Sequence, residues 1–142
     1  MHLGIGSAQL VEVKLVSGSL SSHLESRLEE LKQLSTGWDG TTDSEPPEPR
    51  LIDFVRRVLL QLQEEEGLDV GAGPAGEVDL LWEGKGVFAT FHTDNDCSIS
   101  YAPRYVSNFN DVKHIQIAYG DDDIAFYRFV SQLGGILDRP RD

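Results

Sequence analysis

The chain lacks the disulfide-forming cysteines that stabilise many small folds and the long apolar segments that anchor proteins in a membrane. It contains a single cysteine, Cys97, so no internal disulfide can form, and a lone thiol is typical of a reducing compartment. No uninterrupted apolar run approaches the roughly 20 residues that a membrane-spanning helix needs. The residues from Met1 to Ser7 lack the basic start and long apolar run of a signal peptide. We therefore expect a soluble, cytoplasmic protein without a membrane segment.

Basic side chains are scarce relative to acidic ones. The chain carries 12 lysines and arginines against 24 acidic residues, a formal net charge of −12 at pH 7. Arg56-Arg57 is the only adjacent basic pair, and it falls inside a helical pattern that explains it as an amphipathic surface. Direct binding to a nucleic-acid backbone is unfavourable for such a chain, because its cations are few and scattered. A strongly acidic surface favours a basic protein partner instead.

Local catalytic motifs are missing as well. The sequence has no nucleophile elbow, and His23 and His114 fall in helical and strand patterns where a structural histidine is common. Cys97 follows Asp96 and so lacks the electropositive setting that lowers the pKa of a reactive thiol. We predict that the protein is not an enzyme and holds no cofactor. A small enzyme or ligand-binding domain, with a dispersed site between sheet and helices, remains the alternative.

Two stretches match part of a known ligand-binding pattern, one for a dinucleotide and one for a metal ion, but lack the surrounding structure that such a site needs. Gly71 to Gly76 reads G-x-G-x-x-G, but a dinucleotide site needs a helix after it and here a strand pattern follows, so we predict a flexible loop. His92, Asp94, Asp96 and Cys97 crowd a predicted hairpin tip. Neighbouring strand residues point to opposite faces, and Asp-Asn-Asp is a sequence that tight turns favour on backbone grounds. No metal site is predicted there.

What the chain does contain is a regular series of apolar patterns, enough for one domain of 142 residues. They predict an α+β fold with a mainly antiparallel sheet of about five strands, two amphipathic helices before a meander and one C-terminal helix. Ser22 and Glu25 form a capping-box pattern for the first helix. The predicted strands are Gln9–Val16, Glu77–Glu83, Gly86–His92, Cys97–Tyr101 and Val112–Tyr119; the predicted helices are Ser22–Leu34, Arg50–Glu66 and one that Gly120–Asp123 opens.

Three sequence features together resemble a group of small bacterial proteins. They are Leu34-Ser-Thr-Gly-Trp-Asp-Gly40, the prolines Pro46-Pro47, and Gly76-Glu-Val-Asp-Leu-Leu-Trp-Glu83. That group shares a Gly-Trp-Asp/Asn-Gly loop, a downstream proline and a Gly-x-Val-x-Leu-x-Trp strand, and some members resemble products of toxin–antitoxin or mobile-element loci. The resemblance covers roughly residues 28 to 101 and implies no catalytic residue.

Charge, the absence of catalytic motifs and this resemblance predict a non-enzymatic protein that binds and inhibits a basic partner, as an antitoxin, immunity protein or phage-type inhibitor does. The predicted partner-binding residues are Trp38, Asp39, Asp121, Asp122 and Asp123. Trp38 and Trp82 are both expected to bury against the core, with an interface role as the alternative. A further alternative is a structural subunit of a larger assembly, with an exposed apolar patch at Trp38 or Phe109.

Overall fold

Three helices and a five-stranded antiparallel sheet make up the part of the chain that the computed structural model describes, residues 19–101, 112–120 and 122–139. The predicted α+β fold is confirmed, whereas the predicted strand Gln9–Val16 lies outside the described residues. The elements in order are α1 (Ser22–Lys32), α2 (Pro49–Leu62), β1 (Leu68–Ala72), β2 (Val78–Trp82), β3 (Val87–His92), β4 (Asp96–Tyr101), β5 (Lys113–Ala118) and α3 (Asp123–Leu137).

The strands follow one another in the sheet in the order of the sequence, each antiparallel to the next. Short connections allow this arrangement: a 3-10 turn at Glu83–Lys85 joins β2 to β3, and a turn around Asn95 joins β3 to β4. Asn95 has a φ of 63°, a left-handed conformation that asparagine tolerates better than most residues. The predicted meander of hairpins is confirmed.

Local capping explains where the helices begin. Ser21, rather than the predicted Ser22, is the N-cap of α1, and its side chain accepts a hydrogen bond from the amide of Leu24. Pro49 occupies the first turn of α2, where its missing N–H costs nothing. Asp122 caps α3 by accepting a 2.8 Å hydrogen bond from the amide of Ala125. Acidic residues at this end also complement the helix dipole, as expected.

The helices bury their apolar faces against one side of the sheet. Trp82 is fully buried, as predicted, and its indole nitrogen donates a 3.0 Å hydrogen bond to the backbone oxygen of Glu64. Phe54 of α2 stacks on Tyr119 with ring centroids 4.3 Å apart. The largest fully buried side chains are Trp82, Phe91, Phe126, Phe129, Leu28, Leu51, Ile52, Leu59, Leu80, Ile99, Leu133 and Leu137.

The glycine-rich stretch corrects one prediction. Gly71 and Ala72 form the end of β1, a strand that the sequence patterns did not predict, and the flexible loop expected there is a tight turn. In that turn the amide of Gly73 donates to the oxygen of Glu77, and Gly76 adopts a φ of +83°. The next element is strand β2 and not a helix, so the dinucleotide context fails as predicted.

The proline-containing segment between α1 and α2 is an ordered helix–helix connection. The amide of Gly37 donates to the oxygen of Ser44, and Glu45 forms an isolated parallel bridge with Ala75. This bridge ties the connection to the β1–β2 turn. None of the described helices has the length and apolar character needed to cross a membrane.

Candidate protein-binding face

One face of the sheet is left uncovered by the described helices. Side chains alternate between the two sides of each strand, and those pointing inward join the helices in a single core. The outward-pointing set, together with Glu77 just before β2, is called the open face below. Its residues are Asp69, Gly71, Glu77, Asp79, Leu81, Phe88, Thr90, His92, Asp96, Ser98, Ser100, His114, Gln116 and Ala118.

Two large apolar side chains lie opposite each other on this face. Leu81 of β2 pairs with Phe88 of β3, and their relative exposures are 37% and 40%. On the neighbouring strands, Asp69 of β1 lies opposite Leu81 and Ser100 of β4 lies opposite Phe88. We call Leu81 and Phe88 the apolar pair. Elsewhere in the described residues, the exposed large hydrophobic residue is Ile124 on α3.

Charge on the open face has one sign. Its acidic side chains are Asp69, Glu77, Asp79 and Asp96, and no lysine or arginine occupies any of its positions in the described strands. The described cations lie on other surfaces, where several form ion pairs within the chain. These pairs are Arg27–Glu30, Lys32–Asp53, Arg50–Glu48, Arg56–Glu25, Arg57–Asp123 and Lys85–Glu64.

Asp79 is a half-buried carboxylate of this face, and its pKa is shifted. It lies in the middle of the face, opposite Thr90 on β3. Burial raises the pKa of Asp79 above its ordinary value of 3.8, and the nearby Glu77 carboxylate raises it further. A hydrogen bond from Thr90 and the proximity of His92 oppose this change. The face therefore holds a carboxylate that a cation from outside the chain would stabilise.

A shallow cleft of about 290 Å³ occupies one end of the open face, at the β3–β4 turn. His92 sits in it, with Nε2 placed 2.9 Å from the hydroxyl of Ser98 and Nδ1 placed 3.9 Å from Oε2 of Glu77. Gln116 donates a short hydrogen bond to Asp96 across the neighbouring strands. The cleft is lined by Ala75, Glu77, His92, Thr93, Asp94, Asp96 and Gln116.

Three of the four residues suspected as metal ligands, His92, Asp94 and Asp96, line this cleft, and Cys97 does not. Cys97 points into the core, where burial raises the pKa of its thiol, while His92 and Asp96 point to the open face. Among the described residues no group of histidine, cysteine and acidic side chains is arranged to hold a metal ion. The alternation of strand residues accounts for the separation of Cys97 from His92 and Asp96.

The predicted partner-binding loop closes on itself. Trp38 is half-buried, and its indole nitrogen donates a 3.0 Å hydrogen bond to the oxygen of Glu45. The expected burial of Trp38 against the core is therefore wrong, because this side chain is not among the described residues that pack on the core. Hydrogen bonds from the hydroxyl of Ser44, and then from Thr41, lower the pKa of the exposed Asp39. Because Glu45 pairs with Ala75, this loop lies at the same end of the sheet as the cleft.

The predicted acidic residues at α3 have roles within the chain. Asp122 caps the helix, and Asp123 forms an ion pair with Arg57, with 3.1 Å between Oδ1 and the guanidinium nitrogen. Arg57 in turn lies over the ring of Phe126, 3.8 Å from its centroid. Asp121 lies outside the described residues. The carboxylates of Asp122 and Asp123 are thus partly satisfied by their own helix and by α2.

Sequence reasoning missed the apolar pair, although a signal was present. Leu80-Leu-Trp82 and Val87-Phe-Ala89 are each a run of three consecutive apolar residues within a strand. Successive side chains of a strand point to opposite faces of the sheet. In such a run the middle side chain must point away from the core. The exposed positions of Leu81 and Phe88 follow from that rule.

A scan of protein-family models, a search of curated protein sequences and a search of solved structures each gave no match to this chain. The resemblance to the Gly-Trp-Asp-Gly group therefore stays a prediction.

Proposed function

We propose that the chain is a non-enzymatic acidic protein that binds a basic protein in the cytoplasm and inhibits or neutralises it, in the manner of an antitoxin, immunity protein or phage-type inhibitor. The observation that carries the proposal is the open face, where carboxylates of Asp69, Glu77, Asp79 and Asp96 share one surface without a lysine or arginine among the described positions. A face of one sign attracts a partner of the opposite sign.

The distribution of charge supports this reading beyond the net value of −12. In the described ion pairs, lysines and arginines of the helices and turns are neutralised by acidic residues of the same chain. The acidic side chains of the open face have no such lysine or arginine among the described positions of their own surface, so negative charge remains there in excess. A partner that normally binds phosphate would present a matching basic site. Occupation of that site by this chain would block nucleic acid from it, which is how binding would become inhibition.

Affinity capture from the native host tests the proposal. The immobilised full-length chain is incubated with host lysate at low and at moderate salt, and each captured protein is then purified and titrated against the chain. We expect a basic protein that binds in an equimolar complex, more weakly as salt rises, and that loses nucleic-acid binding or toxicity in the complex. Recovery of no basic protein at either salt concentration would overturn the proposal.

A small hydrolase is the second candidate function, because Ser98, His92 and Glu77 stand in the order of a nucleophile, a base and an orienting acid. The hydroxyl of Ser98 lies 2.9 Å from His92 Nε2, but Glu77 is 3.9 Å from Nδ1, which is too long for a hydrogen bond. Hydrolysis of simple nitrophenyl esters by the chain, abolished in both Ser98→Ala and His92→Ala, would favour this candidate. Equal background rates in all three proteins would favour the binding function.

A further inference from the structure

The apolar pair lies beside the carboxylates of Asp69 and Asp79 on the open face. This combination of apolar and acidic groups indicates what kind of partner surface would bind there. We infer that the face docks a helix of the basic partner that presents one large apolar side chain to Leu81 and Phe88, flanked by lysine or arginine. This inference deepens the proposed function and rests on it. It assigns the contact surface to the sheet and not to the Trp38 loop or to the start of α3.

Leu81 and Phe88 are exposed as a pair. A single exposed apolar side chain, such as Ile124 at 72% exposure, is ordinary on a protein surface. Leu81 and Phe88 instead lie directly opposite each other on adjacent strands, so they form one continuous apolar surface on a fixed backbone. Large apolar side chains at the centre of a polar rim are the arrangement that carries binding energy in protein interfaces.

The rim supplies the charge complementarity. Asp69 is the cross-strand neighbour of Leu81, about 5 Å away by sheet geometry, and Asp79 lies two residues along β2, about 6.6 Å away. Side chains at positions i and i+4 of a helix are separated by about 6 Å. A helix that inserts an apolar side chain at the pair therefore places a cation one turn away within reach of Asp79.

The same charges argue against a second copy of this chain as the occupant. Two open faces brought together would gather the carboxylates of Asp69 and Asp79 from both copies at one interface, where like charges repel each other. A basic helix satisfies both the apolar pair and the acidic rim. The partner's apolar anchor supplies burial, and its cations supply orientation.

A model peptide tests the surface independently of the natural partner. The probe is a short amphipathic helix of leucine and lysine, titrated into the isotope-labelled full-length chain at low salt, with a leucine–glutamate peptide as the control. We expect backbone amide shifts concentrated in β2 and β3 around Leu81 and Phe88, and no such shifts with the acidic peptide. Shifts centred on the helices, or none with the basic peptide, would overturn the inference.

Substitutions with a matched control give the second test. Phe88→Ser and, separately, Leu81→Ser remove the apolar pair from an exposed position, while Ile124→Ser removes a more exposed apolar side chain from α3. We expect each substitution in the pair to weaken peptide binding by about tenfold or more, and Ile124→Ser to leave it unchanged. Circular dichroism confirms that each variant is folded. Equal affinity across the three folded variants and the wild type would contradict the inference.

Two further measurements, binding of the natural partner and the molecular mass of the chain in solution, distinguish failure of the proposed function from failure of the docking surface. If host capture recovers no basic protein, the proposed function fails. If a basic partner binds wild type and Phe88→Ser equally well, the proposed function stands and the docking surface is wrong. A wild-type dimer in sedimentation that Phe88→Ser converts to a monomer would also overturn the inference, because it would show a second copy on this face.

Discussion

Arg27 on α1 lies at the edge of the sheet, where its Nε atom donates a 2.8 Å hydrogen bond to the backbone oxygen of Val70. Val70 belongs to β1, which has β2 as its one neighbour among the described strands. A free strand edge presents unpaired backbone groups that other chains can pair with. The Arg27 side chain therefore donates a hydrogen bond to a backbone oxygen at the edge of the sheet. Another nitrogen of the same guanidinium group forms an ion pair with Glu30 at 2.8 Å.

Removal of that side chain is expected to weaken the edge. We predict that Arg27→Ala lowers the free energy of unfolding by about 1 kcal/mol, because a charge-assisted hydrogen bond is lost from a partly exposed site. We also predict faster aggregation on warming, since an edge oxygen is uncovered. Arg128→Ala, which removes an exposed arginine from α3, is the matched control. Denaturant unfolding and light scattering that fail to separate the two variants would refute this role.

The hydrogen bond of Trp82 predicts a difference between the two tryptophans. Trp82→Phe deletes the donor to Glu64 and leaves a gap in the core, so we expect the free energy of unfolding to fall by about 1–3 kcal/mol. Trp38→Phe deletes a donor to Glu45 in a more exposed loop and should cost less, about 1 kcal/mol or below. Urea unfolding of both variants measures the difference, and a larger loss for Trp38→Phe would contradict the account.

Asp79 gives the protein a pH dependence of defined sign. Burial raises the pKa of its carboxyl in the folded chain, so the folded state holds this proton at pH values where the unfolded state has released it. This contribution lowers stability as pH rises from the ordinary pKa of 3.8 to the higher folded pKa, and stays constant above it. We predict that Asp79→Asn is more stable than wild type near neutrality, by a few tenths of a kcal/mol.

The advantage of Asp79→Asn should shrink as the solution is acidified, since protonated aspartate in wild type no longer carries the buried charge. Thermal unfolding of the two proteins across a pH series measures it. A difference that grows toward low pH would mean that Asp79 stabilises the fold as an anion, opposite to this prediction.

Cys97 should be chemically inert while the chain is folded. Its side chain is fully buried, and burial, aided by the nearby Asp96 carboxylate, raises the pKa of the thiol. We predict negligible reaction with an aromatic disulfide reagent under native conditions and complete reaction after unfolding in guanidinium. Rapid labelling of the native chain would show that Cys97 is accessible and could act as a reactive thiol.

Periodicity in the sequence was sufficient for most of the fold. Apolar repeats gave the buried face of α2 correctly, since Leu51, Val55 and Val58 are buried as their spacing predicts. The helix nevertheless ends at Leu62 and not near Glu66, because Gln63 adopts a left-handed conformation. Strand β1 was missed because Asp69 and Gly71 weaken its β pattern, and pairing with β2 stabilises a segment that local preference does not. The N-cap of α1 was misplaced by one residue because Ser21 and Ser22 are both good capping residues.

The candidate site was less accessible to sequence reasoning, because it depends on residues brought together from different strands. Asp69, Asp79 and Asp96 are separated along the chain and share a face through strand register alone. The predicted partner-binding residues lie in local runs and loops, where capping by Asp122 and a closed turn around Trp38 explain much of the composition. A face becomes visible only when cross-strand partners are known.

The affinity of the purified basic partner for two variants of equal net charge tests the central claim most directly. One variant, Asp69→Asn with Asp79→Asn, removes carboxylates from the open face; the other, Glu66→Gln with Asp138→Asn, removes the same number from outside it. Calorimetric titration at low salt should show a loss of about tenfold or more for the face variant and little change for the other. Equal losses in the two variants would mean that net charge alone governs binding, and would contradict a binding site on the open face.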